Sequence, residues 1–215
     1  MNKYLKLAIV FIIAFAVFTV MVMTIDVQAV GPNGSTVGFA SLNKAVFDRL
    51  GQNDFCYKLT ELLGNTAILV CLVFAGIGLY QWISRKSLAK VDKKIILLGI
   101  FYTIVIAIYV FFNKVAVNYR PILEADGTLE ASYPSSHTVL AVCVFITMFM
   151  QKQLNPKGDA KEKKWNAILS FILPTVMIVG RLLSGIHWFT DIIGAVLLSM
   201  ALVLLYRGAI DSIKE

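Results

Sequence analysis

Charged side chains are scarce in this sequence. Asp, Glu, Lys and Arg make up 15% of its 215 residues, while 58% are hydrophobic, and the mean hydropathy is +0.76. Soluble domains average about 25% charged and 45–50% apolar residues, so the composition points away from a water-soluble globule. Acidic residues are the scarcer sign, 13 against 20 basic. In a chain this apolar the basic surplus reads as loop charge that sets membrane topology, and no nucleic-acid partner is expected. There are three cysteines. Cys71 and Cys143 lie inside apolar runs and Cys56 sits alone in a polar loop, so neither a disulfide framework nor a zinc spacing is present. No Gly/Ser linker, low-complexity tract or internal repeat divides the chain, which reads as one membrane-embedded domain over residues 1–215.

What the sequence does have is long apolar runs. Leu7–Ile25, Leu62–Ser84 and Ile95–Asn113 contain no Asp, Glu, Lys or Arg and are long enough to span a bilayer. Backbone amides in lipid must be paired internally, so these runs are helices. Ser135–Gln151, Trp165–Gly180 and Ile192–Tyr206 are shorter, and each carries a strongly polar residue at one end: His137, Arg181 and Asp191. The expectation is an all-α bundle of six transmembrane helices, with Pro174 kinking the fifth. Of the 20 Lys and Arg, fourteen fall in the N-terminus, the second-to-third loop, the fourth-to-fifth loop and the tail. Lys44, Arg49, Lys58, Lys114, Arg120 and Arg181 fall on the other side. The positive-inside rule then places both termini in the cytoplasm of a plasma-membrane protein. The first run exceeds the apolar core of a signal peptide and is read as an uncleaved anchor.

Between the first two spans, Phe39, Leu42, Ala45, Val46, Phe47 and Leu50 recur at helical spacing among charged residues. This predicts an amphipathic helix at the interface, or a lid packed on the outer ends of the spans.

Span parity brings the rare polar residues together. Arg120 and His137 share one outer loop, and two spans later the chain returns outside at Arg181, His187 and Asp191. These are the only two histidines in the chain. Arginine presents a planar fork of donors suited to phosphate oxygens, and the helix opening at Pro134-Ser135-Ser136-His137 aims free amides at the same face. His187 and Asp191 are four apart, so the carboxylate can hold one ring nitrogen and leave the other nucleophilic. His137 can protonate a departing oxygen. The set suits phosphoryl transfer through a phosphohistidine, with Arg120, Arg181 and helix amides stabilising the oxygens. No metal-ligand cluster competes, and no metal or other cofactor is expected.

Arg120-Pro121, Tyr133-Pro134-Ser135-Ser136-His137, and Gly180-Arg181 with five residues to His187 and three more to Asp191 resemble the type 2 phosphatidic acid phosphatase superfamily. Its pattern is Lys, six residues, Arg-Pro; then Pro-Ser-Gly-His; then Ser-Arg, five residues, His, three residues, Asp. The resemblance covers residues 113–191 by motif. It implies that His187 is the nucleophile, Asp191 its orienting partner and His137 the acid, with Arg120, Arg181, Ser135 and Ser136 holding phosphate and no metal required. It also implies a lipid phosphate substrate: undecaprenyl diphosphate narrowly first, then phosphatidic acid or phosphatidylglycerol phosphate. Two other classes use similar residues. An intramembrane serine protease needs a Gly-x-Ser-x-Gly-like elbow inside a span, which Ser135 and Ser136 do not form. A non-catalytic lipid-phosphate binder or transporter would keep the anion site without turnover.

Ser136 stands where the family has glycine, Gly180 where it has serine, and Asn113 where it has lysine. Lys114 is one residue on and carried as a phosphate contact, although one residue is about 100° of helix rotation. Lys114→Ala is therefore expected to cost about tenfold in turnover, against roughly 10²–10³ for loss of either arginine. Steady-state kinetics of the three variants check the order; equal losses would mean that the helix is unwound at this point.

Overall fold

The computed structural model describes residues 2–124, 126–153 and 159–214; Lys157, one of the basic residues used to orient the chain, lies outside them. Seven α-helices follow one another: α1 (Lys3–Thr24), α2 (Ala40–Leu50), α3 (Asp54–Arg85), α4 (Lys93–Lys114), α5 (Ser136–Gln153), α6 (Ala160–Leu183) and α7 (Phe189–Lys214). Among the described residues there is no β-strand, only the isolated bridges Gln28–Val37 and Tyr119–Ala131. The all-α expectation holds.

Among the described residues five helices are long and apolar enough to cross a membrane: α1, α3, α4, α6 and α7. The sixth expected span, α5, is a shorter apolar helix. Its position explains the difference. α5 packs against α3, α4, α6 and α7, and Ala141, Cys143, Val144 and Thr147 on it are fully buried. A helix wrapped in protein need not match the hydrocarbon thickness along its own surface. The outer helices do the reverse. Val10, Ile13, Val17 and Val20 on α1 and Leu69, Leu72 and Val73 on α3 are more than half exposed. Apolar faces this extensive belong against lipid rather than water.

Helix ends follow capping more closely than hydropathy. α3 begins at Asp54, eight residues before the charge-free run, because the Asn53 side chain accepts the Cys56 amide at 2.9 Å. Asp54, Lys58 and Glu61 then occupy the first two turns, and Cys56 sits in a helix instead of a polar loop. α6 runs unbroken through Pro174.

The helix expected near Phe39–Leu50 is α2, and its buried line differs from the sequence pattern. Leu42 and Leu50 are exposed, whereas Asn43 is fully buried. Its Nδ2 donates to the Gly38 carbonyl and the Thr190 hydroxyl, both at 2.8 Å, and its Oδ1 accepts the Thr190 amide at 3.1 Å. α2 is thereby fastened to the start of α7 by a polar residue, as a packed lid would be.

Close approaches are made at glycines. A Cβ on Gly38 would lie 1.6 Å from the Val22 carbonyl oxygen, which is backbone and cannot yield. Gly76 in α3 faces open space. Gly38→Ala is expected to destabilise by about 3 kcal/mol or more through forced backbone movement, while Gly76→Ala should be neutral or stabilise by up to ~1 kcal/mol. Thermal melts in detergent compare them; equal melting temperatures would mean that the turn before α2 is not held against α1.

Candidate active site

The site lies where α5 and α7 begin and α6 ends, with α3 alongside. α7 opens with a reciprocal cap. Asp191, in its first turn, accepts the Trp188 amide on Oδ2 at 2.9 Å and donates its own amide to the Trp188 carbonyl at 3.1 Å. Its backbone carbonyl accepts the Ser135 amide at 3.2 Å, which joins the starts of α5 and α7. Oδ1 lies 3.4 Å from Asn118 Nδ2, and Asn118 Oδ1 accepts the Gly38 amide at 3.1 Å. Asp191 is fully buried, so these donors are what make a carboxylate tolerable there.

His187 precedes this cap in the short connection between α6 and α7. Its Nδ1 is 3.5 Å from Asp191 Oδ2, an electrostatic pairing that stops short of a hydrogen bond. Among the described residues neither ring nitrogen has a hydrogen-bond partner.

Arg181, in the last turn of α6, is completely buried. Its Nη2 donates to Glu61 Oε1 at 2.8 Å and its Nη1 to Thr60 Oγ1 at 3.3 Å, while its guanidinium lies 5.9 Å from the Tyr57 ring centroid. His137 Nε2 is 3.5 Å from the same Glu61 oxygen. Two glycines admit α3 this closely: a Cβ on Gly180 would meet Thr60 Cγ2 at 2.6 Å, and one on Gly64 would meet His137 Cδ2 at 2.7 Å. Gly180, which replaces the motif serine, thus has a packing reason of its own.

Arg120 is held in a tight loop before α5. Its amide donates to the Glu130 carbonyl at 2.9 Å, Nη2 pairs with Glu130 at 2.9 Å and Nη1 pairs with Glu124. Glu124 and Glu130, which in sequence look like a solvated turn, are its counter-ions; the turn proper is Asp126-Gly127, with Gly127 at φ +81°. Arg120, Arg181 and Asp191 all act on His187 electrostatically.

The predicted residues divide accordingly. His137, His187, Asp191, Arg181 and Arg120 share one charge network. Ser135 is buried, but its hydroxyl meets Thr138 Oγ1 at 3.0 Å and its amide is taken by Asp191, so it serves the helix junction. Ser136 lines a cleft of about 410 Å³ with His137, Ser132 and Asn113, continued between α3, α4 and α5 by Ile68, Leu72, Val105, Tyr109 and Leu140. Lys114 does not join the group. It is exposed, at the last position of α4, and is not among the residues lining the cleft, whereas Asn113 is. Among the described residues no cluster of metal-ligand type occurs.

Sequence reasoning missed Tyr57, Thr60, Glu61 and Gly64. They lie three, four and seven residues apart on one face of α3, a stripe whose polarity conceals it from hydrophobic periodicity. A charge and a glycine on one such stripe, at the end of a span, is the signal that was available.

Residues 96–212 match the family model of the PAP2 superfamily. The chain belongs to that superfamily. It is 24% identical over 168 residues to phosphatidylglycerophosphatase B of Bacillus subtilis (strain 168), covering 76% of this chain and 77% of that protein. Its fold is similar to the crystal structure of a transmembrane PAP2-type phosphatidylglycerolphosphate phosphatase from Bacillus subtilis, with a TM-score of 0.68 and 17% identity over 97% and 98% of the two chains. This PAP2 chain is a multi-pass membrane protein. The motif residues all fall inside the matched region, and the α3 stripe falls outside it.

Burial holds the His187 pKa below its ordinary value; the Asp191 carboxylate works against that, and the two arginines add to it. The folded protein therefore keeps His187 neutral where a free histidine, near 6.5, would take up a proton. Folding stability from this group is present above pH 6.5 and declines as the pH falls, since the unfolded chain gains the proton first. With two histidines in the chain, ring NMR resolves both. The His187 midpoint is expected below 6.5, and lower still in Asp191→Asn; a midpoint above 6.5 would mean that the carboxylate outweighs burial.

Proposed function

We propose that this chain is an integral-membrane lipid phosphatase that works through a phosphohistidine. His187 Nε2 attacks phosphorus while Asp191 holds the Nδ1 proton. The bond from phosphorus to the leaving oxygen breaks, and His137 Nε2 gives that oxygen its proton. Water deprotonated by His137 then attacks phosphorus, the phosphorus–nitrogen bond breaks, and phosphate leaves. Arg120, Arg181 and the unpaired first amides of α5 face the equatorial oxygens. The observation that carries this reading is the convergence of the chain's only two histidines on one buried arginine.

Membrane placement follows from charge and length. Counting α5 as a span gives six, both termini cytoplasmic, and the site at the outer face. α2, with Leu42 and Leu50 outward, rests at the interface above it. The cleft between α3, α4 and α5 has apolar walls and a polar end at Asn113, Ser132, Ser136 and His137, which suits a lipid with its phosphate at the histidine. Phosphatidylglycerol phosphate ranks first as substrate because the sequence relative and the structural relative are both named for it. Phosphatidic acid and undecaprenyl diphosphate are the competing substrates.

Phosphate release by purified protein in chelator, across those three lipids, tests the proposal. Turnover of phosphatidylglycerol phosphate at the highest kcat/KM is expected; binding without release from any of the three would make the chain a binder. His137→Ala should slow an alkyl phosphate by about 10²–10⁴ and nitrophenyl phosphate far less, since a good leaving group needs little protonation. Equal losses on the two would remove His137 from the acid role.

A further inference from the structure

One oxygen atom at the site receives both groups that the reaction would direct at the substrate. Glu61 Oε1 is 2.8 Å from Arg181 Nη2 and 3.5 Å from His137 Nε2. We propose that Glu61 is a specificity-determining residue: a resident carboxylate that occupies the phosphate's place on Arg181 and must be displaced by substrate. The proposal rests on the reading of Arg181 and His137 given above.

Arg181 has no exposed surface, and a buried guanidinium without a counter-ion is strongly unfavourable. Glu61 supplies that charge when phosphate is absent. Its own side chain is 34% exposed, so it can rotate toward water, whereas Arg181 cannot move out. Arg120 is arranged alike, with Glu124 and Glu130 on its guanidinium. Any anion that binds must break at least the Glu61 pair. Free phosphate has only its charge to set against that loss. A lipid phosphate also sets its chain against the apolar walls of the cleft between α3, α4 and α5. The displaced carboxylate therefore favours tethered phosphates over free ones at the start of the cycle. It also reclaims Arg181 once the leaving lipid is gone, which helps to expel product phosphate.

The test is product inhibition in purified Glu61→Gln. The amide keeps the shape and removes the competing charge. The inhibition constant of inorganic phosphate is expected to fall by about tenfold, which corresponds to 1.4 kcal/mol. The kcat/KM preference for lipid phosphate over nitrophenyl phosphate should shrink by a similar factor. A phosphate inhibition constant that is unchanged or higher would overturn the proposal, because a glutamate that merely braces Arg181 would weaken anion binding when lost. Glu61→Asp keeps the charge but cannot span Arg181 and His137 together; a smaller shift in the same direction is expected, and it serves if Glu61→Gln does not fold. Wild-type protein that releases phosphate from no lipid would refute the phosphatase reading itself. Active wild type with an unaltered phosphate constant in both variants would refute only the role of Glu61.

Discussion

The structure depends on one buried carboxylate. Asp191 closes the first turn of α7 by accepting the Trp188 amide, faces His187 with the same oxygen, and meets Asn118 with the other. Its backbone carbonyl takes the Ser135 amide from the start of α5. A carboxylate buried in this way is stable only with its donors in place, so the cap, the loop before α5 and the turn before α2 are required together. Through Asn118 the requirement reaches Gly38, and through Asn43 and Thr190 it reaches α2. His187 is thus surrounded by groups from four parts of the chain. A site so constrained loses little entropy when it meets its ligand.

A second constraint is charge balance. The site gathers Arg120 and Arg181 in a region largely shielded from water, and such charges must be matched locally. α3 supplies the match for Arg181, and it can do so because Gly64 and Gly180 let the helices approach without a Cβ between them. The loop before α5 supplies the match for Arg120. Packing and electrostatics are therefore one problem in this protein: removing either glycine would push Glu61 away from the arginine that it neutralises.

The parts legible in the sequence are those that act locally. Spans α1 and α4 appear as charge-free runs, and His187 and Asp191 appear as a pair because four residues bring them to one side of a helix start. Across the bundle, span parity assigned Arg120, His137, Arg181 and His187 to one face, and in the structure they interact electrostatically. What stayed hidden was contributed by contacts between distant segments. Asn43 interrupts an apolar pattern, yet it is fully buried in α2. Asn118 looks like an ordinary loop residue until Asp191 and Gly38 are seen on either side of it. Glu61 looks like the edge of a loop because charge ends a hydropathy window, although the helix had already begun at Asp54. Lys114, carried as a phosphate contact against its helical register, is exposed at the end of α4, and Asn113 is the residue of that pair that lines the cleft.

The central claim is that phosphorus passes through His187. Rapid quenching of the purified protein with substrate labelled at the phosphoryl group, followed by peptide mapping, examines it directly. The account predicts an acid-labile, base-stable label on the peptide containing His187, appearing before free phosphate and absent from His187→Ala. Release of phosphate with no labelled protein at any quench time, or a label on a different residue, would contradict it.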